Sequence, residues 1–285
     1  MPKSNNVPTK HTVAFVYRDN QISFNFWCAG STPDTVLFLG TGQVGKIPKW
    51  TAESAPAGLV VVEGLPHWQS DPSADDLVDF SHTYAEAAYA AVLKVFNLAS
   101  MHVIGESQAA PSTIWLANHS LERVNNIVLL LPMGLNVSSF GDTDEARFKE
   151  LRKRAIQTAF QLQQSPFKSL RNVYVAGLLV KIILSGRRDG STVKKYTTGI
   201  SLDMLEEFRI LLAKRKEDTH SVALLLGAQD KIFSAHEIER SLKKASVEDV
   251  DMIIAPRQSH SSPVTRSGRD LVARAMEIVR RPQKP

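Results

Sequence analysis

The sequence predicts an α/β protein built on a mostly parallel, eight-stranded sheet with helices on both faces, and three observations carry that expectation. Short, continuous apolar runs rich in Val, Ile and Leu alternate with segments of helical period. An antiparallel hairpin pattern opens the chain, and one long, basic, helical stretch interrupts the alternation between two of the runs.

The hairpin is read from two alternating segments, 12–17 and 22–28, separated by the polar residues 18–21. Six further apolar runs follow at 35–39, 58–63, 101–104, 127–131, 222–226 and 250–255. Each is too short for a helix and lacks polar alternation, as strands covered on both faces require. Helical periodicity fills most of the intervals. Residues 75–96 carry acidic side chains in the first turn and an apolar stripe through Leu77, Phe80, Tyr84, Ala88, Ala91 and Val95. Segments 112–124, 235–245 and 270–279 behave likewise. The interruption is 135–218, with amphipathic segments at 148–161 and 202–214 and a turn signal at 185–191. It is expected to form a helical cap inserted into a core made of 1–134 and 219–285.

With 285 residues, 43% of them hydrophobic and 22% charged, the chain can bury roughly three quarters of its unfolded surface without staples. Cys28 is the single cysteine, so an internal disulfide is excluded and a reducing compartment fits. The N-terminus leads into no apolar signal core, and the longest apolar stretch, 173–184, is interrupted by Lys181 and too short to span a bilayer. A soluble, cytoplasmic protein is expected. The net charge of +5 is concentrated in one place: residues 135–218 carry 16 basic against 10 acidic side chains, whereas 1–134 carry 7 against 11. No basic run interleaved with aromatics, zinc-finger spacing or helix-turn-helix signature accompanies it, so a solvated basic face is expected rather than a nucleic-acid surface. The eight histidines form no ligand spacing, and no metal or organic cofactor is expected.

Two motifs compete for the functional site. Gly40-Thr41-Gly42-Gln43-Val44-Gly45 follows a strand, and Glu63 ends the next one, as in a dinucleotide fingerprint. That fingerprint needs a long helix directly after its third glycine, and Pro48 and Pro56 leave room for barely two turns. The second motif is Gly105-Glu106-Ser107-Gln108-Ala109, where a strand turns straight into a helix. Small residues two positions either side of Ser107 suit the strained backbone of a nucleophile elbow. Downstream, Asp230 lies just past the strand 222–226, and His260 lies on a loop beyond the strand 250–255. Strand ends at the carboxyl edge are where such sheets place functional groups.

With these residues in order, the chain resembles the α/β-hydrolase superfamily over nearly its whole length. The family's oxyanion loop resembles Thr41-Gly42-Gln43, and its loop after the fourth strand resembles residues 64–71. Gly105-x-Ser107-x-Ala109 matches the elbow, Gly227-x-x-Asp230 the acid loop, and His260 the base. The chain departs from the pattern at Thr41, Gly64 and His67, which replace the customary histidine, aspartate and glycine, and at Ala109 and Ala110, which replace two glycines. The resemblance implies a serine hydrolase acting on an ester, thioester or related acyl bond of a small molecule. Ser107 would be nucleophile, His260 base and Asp230 the orienting acid; backbone N–H groups of Gln108 and of Gln43 or Gly42 would hold the oxyanion. Thr41, His67, Trp68 and Met133 are expected to line the substrate site. The alternatives are a non-catalytic binding protein on the same fold and, less favoured, a dinucleotide-binding oxidoreductase.

Overall fold

The computed structural model describes residues 9–28, 32, 34–40, 58–62, 74–164, 202–216, 220–247, 250–260 and 268–281. Its sheet has eight strands in the order β1-β2-β4-β3-β5-β6-β7-β8. Strands β1 (Thr9–Tyr17) and β2 (Asn20–Cys28) form the hairpin, and β2 pairs antiparallel with β4 (Leu59–Val62). From there β3 (Val36–Leu39), β5 (Met101–Glu106), β6 (Val124–Leu130), β7 (Val222–Gly227) and β8 (Asp251–Ala255) continue in parallel. The order differs from the 3-2-1-4-5-6 arrangement of dinucleotide-binding sheets.

The hairpin turns on two residues. Arg18 and Asp19 both take positive φ, 45° and 62°, the backbone that matches the twist of the flanking strands. Along the central strands, alternate side chains enter two separate cores. Val103, Ile127, Leu129, Leu224 and Leu226 point to one face, whereas Ile104, Val128, Leu130, Ala223 and Leu225 point to the other. The first face is covered by α1 (Ala74–Phe96), α2 (Ala109–His119), α4 (Leu205–Lys216) and α5 (Ala235–Lys244), through residues such as Tyr84, Ile114, Phe208 and Ile238. The second is covered by α6 (Gly268–Val279) through Leu271, Val272, Ala275 and Met276. The period-2 sorting explains why the runs read as continuously apolar.

Between β6 and β7 lie a short 3-10 turn (Val137–Ser139), α3 (Asp144–Gln164) and α4. Phe208 and Leu211 of α4 are fully buried in the same cluster as Ile114, so this helix belongs to the layer that covers the sheet. The turn signal at 185–191 and the short segment between Pro48 and Pro56 lie outside the described residues. Among the described residues, no helix is long and apolar enough to cross a membrane.

The hairpin strands start earlier than expected, at Thr9 and Asn20, and helix α2 and strand β6 also depart from their expected bounds. Helix α2 starts at Ala109, not 112, because the chain passes from β5 into helix within two residues of the elbow, and it ends at His119. The Ser120 N–H caps it by donating to the Leu116 carbonyl (2.8 Å). Strand β6 begins at Val124, three residues early, because Asn126 is buried yet satisfied: its Nδ2 donates to the Val279 carbonyl (2.8 Å) and its Oδ1 accepts from the Ser221 N–H (3.0 Å). Hydropathy cannot show that a polar side chain has partners inside.

The same network holds His102, whose Nδ1 accepts the Asn126 N–H (3.2 Å). Burial pulls this imidazole down from 6.5 to about 4, Asp34 opposing and Arg280 and His220 reinforcing the shift. A group whose folded pKa is depressed binds its proton more readily when unfolded, so stability is complete above about pH 6.5 and drains as the pH falls toward 4. Between pH 7 and 5.5 His102 alone should cost about 1 kcal/mol of unfolding free energy. Urea denaturation at the two pH values should show that loss, and His102→Asn should make it smaller by about the same amount. An unchanged pH dependence in the variant would contradict the assignment.

Candidate active site

Strand β5 delivers Ser107 to the carboxyl edge of the sheet, in a left-handed conformation with φ 51°. Such backbone is costly for a residue with a Cβ, and it is held from three sides. The Ser107 N–H donates to the Leu130 carbonyl (2.9 Å), and the Ser107 carbonyl accepts from the N–H groups of Ala110 and Met133 (3.1 Å each). Gly105 has no substitute here: a Cβ on it would lie 2.1 Å from Thr113 Oγ1 and 2.7 Å from Thr113 Cβ, both on α2. The strand and helix can meet at so sharp an angle because that side chain is missing.

His260 and Asp230 come from the two following strand ends. The turn after β7 and the loop after β8 are fastened directly together, the Gln229 N–H donating to the Gln258 carbonyl (2.9 Å) and the Ala228 N–H to the Ala255 carbonyl (3.0 Å). Gly227 permits this, since a Cβ on it would lie 2.5 Å from the Gln258 oxygen. Asp230 is 3% exposed, and its Oδ1 accepts from the N–H groups of Ile232 (2.8 Å) and Phe233 (2.9 Å). Its Oδ2 lies 3.0 Å from His260 Nδ1, and His260 Nε2 lies 3.0 Å from Ser107 Oγ. A carboxylate only accepts, so Nδ1 carries the proton; Nε2 is then the acceptor for the serine hydroxyl. The Phe233 ring meets the imidazole edge-on, with centroids 4.9 Å apart.

No protein-family model matches the sequence, and no curated protein does so. Solved structures do resemble the chain. An esterase from Thermogutta terrifontis superposes with a TM-score of 0.58 at 14% identity, covering 95% of this chain and 98% of its own. A 2-hydroxy-6-oxo-6-phenylhexa-2,4-dienoate hydrolase from a Rhodococcus strain gives 0.57 at 13% identity, covering 96% and 100%. An enzyme described as degrading N-acyl homoserine lactones gives 0.59 at 11%, covering 92% and 99%. The chain has the α/β-hydrolase fold.

Within the α/β-hydrolase sheet, Ser107, Asp230 and His260 thus stand together at one edge, although 153 and 30 positions separate the bonded pairs. Burial alone would lower the His260 pKa, but the charge of Asp230, its hydrogen bond to the ring and the charge of Glu106 outweigh burial and hold the imidazole above 6.5. Glu106 is itself only 7% exposed. Sequence reasoning missed it because it occupies an unspecified position of the elbow motif; a carboxylate directly before Ser107 was the available signal.

Gln108 occupies the position before the first residue of α2 with φ −63°, at a helix N-terminus where backbone N–H groups lack partners within the helix. Met133 is brought against Ser107, through its backbone N–H. Thr41, Gly42, Gln43, His67 and Trp68 lie outside the described residues. A small indentation lies between α1 and α2, lined by Leu39, Gly40, Tyr84, Ala85, Ala109 and Ser112. Among the described residues, no group of three or more His, Cys, Asp or Glu side chains is placed to hold a metal ion.

Proposed function

We propose that the protein is a serine hydrolase that cleaves an ester, thioester or related acyl bond of a small molecule through an acyl-enzyme. The observation that carries this reading is the unbroken chain from Ser107 Oγ through His260 to Asp230, with both links at 3.0 Å and the far carboxylate oxygen fixed by two backbone N–H groups. In the first half-reaction, Ser107 Oγ bonds to the acyl carbon as its proton passes to His260 Nε2; the imidazolium then gives that proton to the departing alcohol or thiol as the acyl–heteroatom bond breaks. In the second, water loses a proton to His260 as it attacks the acyl carbon, and the imidazolium returns that proton to Ser107 Oγ as the acyl–oxygen bond breaks and the acid departs. Asp230 stays ionised throughout, keeping the proton of the resting imidazole on Nδ1 and stabilising the cation that forms.

The developing oxyanion would be held by the backbone N–H of Gln108, aided by the dipole of α2, and by that of Gln43 or Gly42, each donor contributing about 3–4 kcal/mol. Thr41, His67, Trp68 and Met133 are assigned to substrate binding, and the insertion 135–218, apart from the sheet-covering α4, to a cap that excludes water from the strand ends. The esterases and hydrolases that share the fold support the reaction class.

A fluorophosphonate reacts covalently with an activated serine. The wild-type protein should be labelled near neutral pH, and Ser107→Ala should lose the label completely while keeping its circular dichroism. An unlabelled wild type, or labelling that persists in Ser107→Ala, would overturn the proposal.

A further inference from the structure

We propose that Arg154, on the helix that follows β6, is a positioning residue that holds the Asp230 carboxylate in register with His260; this rests on Asp230 serving as the acid of the reaction proposed above. Arg154 is far from Asp230 in sequence and touches neither it nor His260 directly. Arg154 is 6% exposed, and every one of its five guanidinium N–H groups has an acceptor. Nε donates to Glu150 Oε1 (2.9 Å), one Nη to the Ile232 carbonyl (3.0 Å) and Glu237 Oε2 (2.6 Å), and the other to the Ser139 carbonyl (3.0 Å) and Glu237 Oε1 (3.0 Å).

These contacts reach the site along two routes. Ile232 is the pivot of the first: its carbonyl is held by Arg154, while its N–H and that of Phe233 hold Asp230 Oδ1. The second runs through rings. The guanidinium lies over Phe140, with 4.2 Å from Cζ to the centroid; Phe140 packs on Phe233 at 5.8 Å; and Phe233 meets His260 edge-on at 4.9 Å. Glu237, on α5 directly after the acid turn, is gripped by both Nη atoms of Arg154 and also accepts from Asn136 Nδ2 (3.2 Å). The arginine therefore joins α3, the 3-10 turn, the acid turn and α5 at one point. A lysine, with three donors and no fork, cannot satisfy this set.

Two kinds of influence on His260 have opposite signs. Removing a nearby cation raises an imidazole pKa by Coulomb's law; letting Asp230 drift away from the ring lowers it. The charged groups acting on His260 are Asp230 and Glu106, and those around Arg154 are Glu150 and Glu237. The test is the His260 pKa, read from imidazole C–H resonances assigned with His260→Gln, in the full-length wild type, Arg154→Met, Arg154→Lys and Glu237→Gln. Arg209→Met, which removes an exposed pair with Glu206 on α4, is the control.

Positioning requires the His260 pKa to fall in Arg154→Met by roughly half a unit or more. Arg154→Lys and Glu237→Gln should show smaller falls of the same sign, and Arg209→Met none. Active-site titration with the fluorophosphonate corrects each preparation for unfolded protein, and kcat on an acyl ester should then drop by roughly ten- to a hundredfold in Arg154→Met with KM little changed. A His260 pKa that is unchanged or raised in all three variants would overturn the proposal. So would a full kcat per titrated site. Should Arg154→Met not fold, the Lys and Gln variants carry the same readout. Failure of the wild type to react with the fluorophosphonate would instead defeat the acyl-transfer reading, and the His260 resonance would still decide the Arg154 link.

Discussion

Replacing Asp230 by asparagine should lower kcat/KM by about 10⁴-fold while leaving the fold intact. The size of the loss follows from which end of the side chain is fixed. Oδ1 accepts from two backbone N–H groups, so the substituted amide must turn its oxygen to Ile232 and Phe233 and its NH2 toward His260. A donor facing Nδ1 forces the imidazole proton onto Nε2, and a protonated Nε2 cannot take the proton of Ser107. The pH dependence should move as well. In the wild type, the rise of kcat/KM with pH should show an apparent pKa above 6.5, because Asp230 and Glu106 outweigh the burial of His260. In Asp230→Asn the inflection should lie lower. Steady-state kinetics on a chromogenic acyl ester across pH 5–9 measures both, and a loss of under about tenfold would show that Asp230 does not set the tautomer.

Gly227→Ala should damage the site with a single methyl. The added carbon would lie 2.5 Å from the Gln258 oxygen and 3.0 Å from its carbonyl carbon, which are backbone atoms with no rotamer to change. Relief requires the acid turn and the histidine loop to separate, and that breaks the Gln229–Gln258 hydrogen bond two residues before His260. Overpacking of this kind costs about 1–3 kcal/mol of stability. A displacement near 1 Å between Asp230 and His260 should cost roughly a hundredfold in kcat/KM. Urea titration and kinetics on the folded variant separate the two effects. Wild-type kcat/KM in a folded Gly227→Ala would contradict the close approach.

The sheet was legible because strands buried on both faces leave short runs with no polar alternation, while the two hairpin strands show the alternation of a half-exposed edge. Ser107, Asp230 and His260 were legible for a local reason: each follows such a run, so strand ends alone place them at one edge. What could not be read depends on partners distant in sequence. Asn126 reads as a break in β6, yet it is buried because Val279 and Ser221 satisfy it. Arg154 looks like one more charge on a basic helix, and only the fold brings Ser139, Ile232 and Glu237 around it. Gly227 was legible as part of a turn, but not as the point where two loops touch. The start of α2 is read three residues late, just past Pro111, whereas proline is well suited to the first turn of a helix and lies inside this one.

The account stands on Ser107 being the residue that bonds to the acyl group. Peptide mapping of the wild-type fluorophosphonate adduct by tandem mass spectrometry tests that claim most directly. The adduct should be found on Ser107 and on no other residue; a reactive protein whose adduct maps to a different serine, or to a side chain remote from His260, would contradict it.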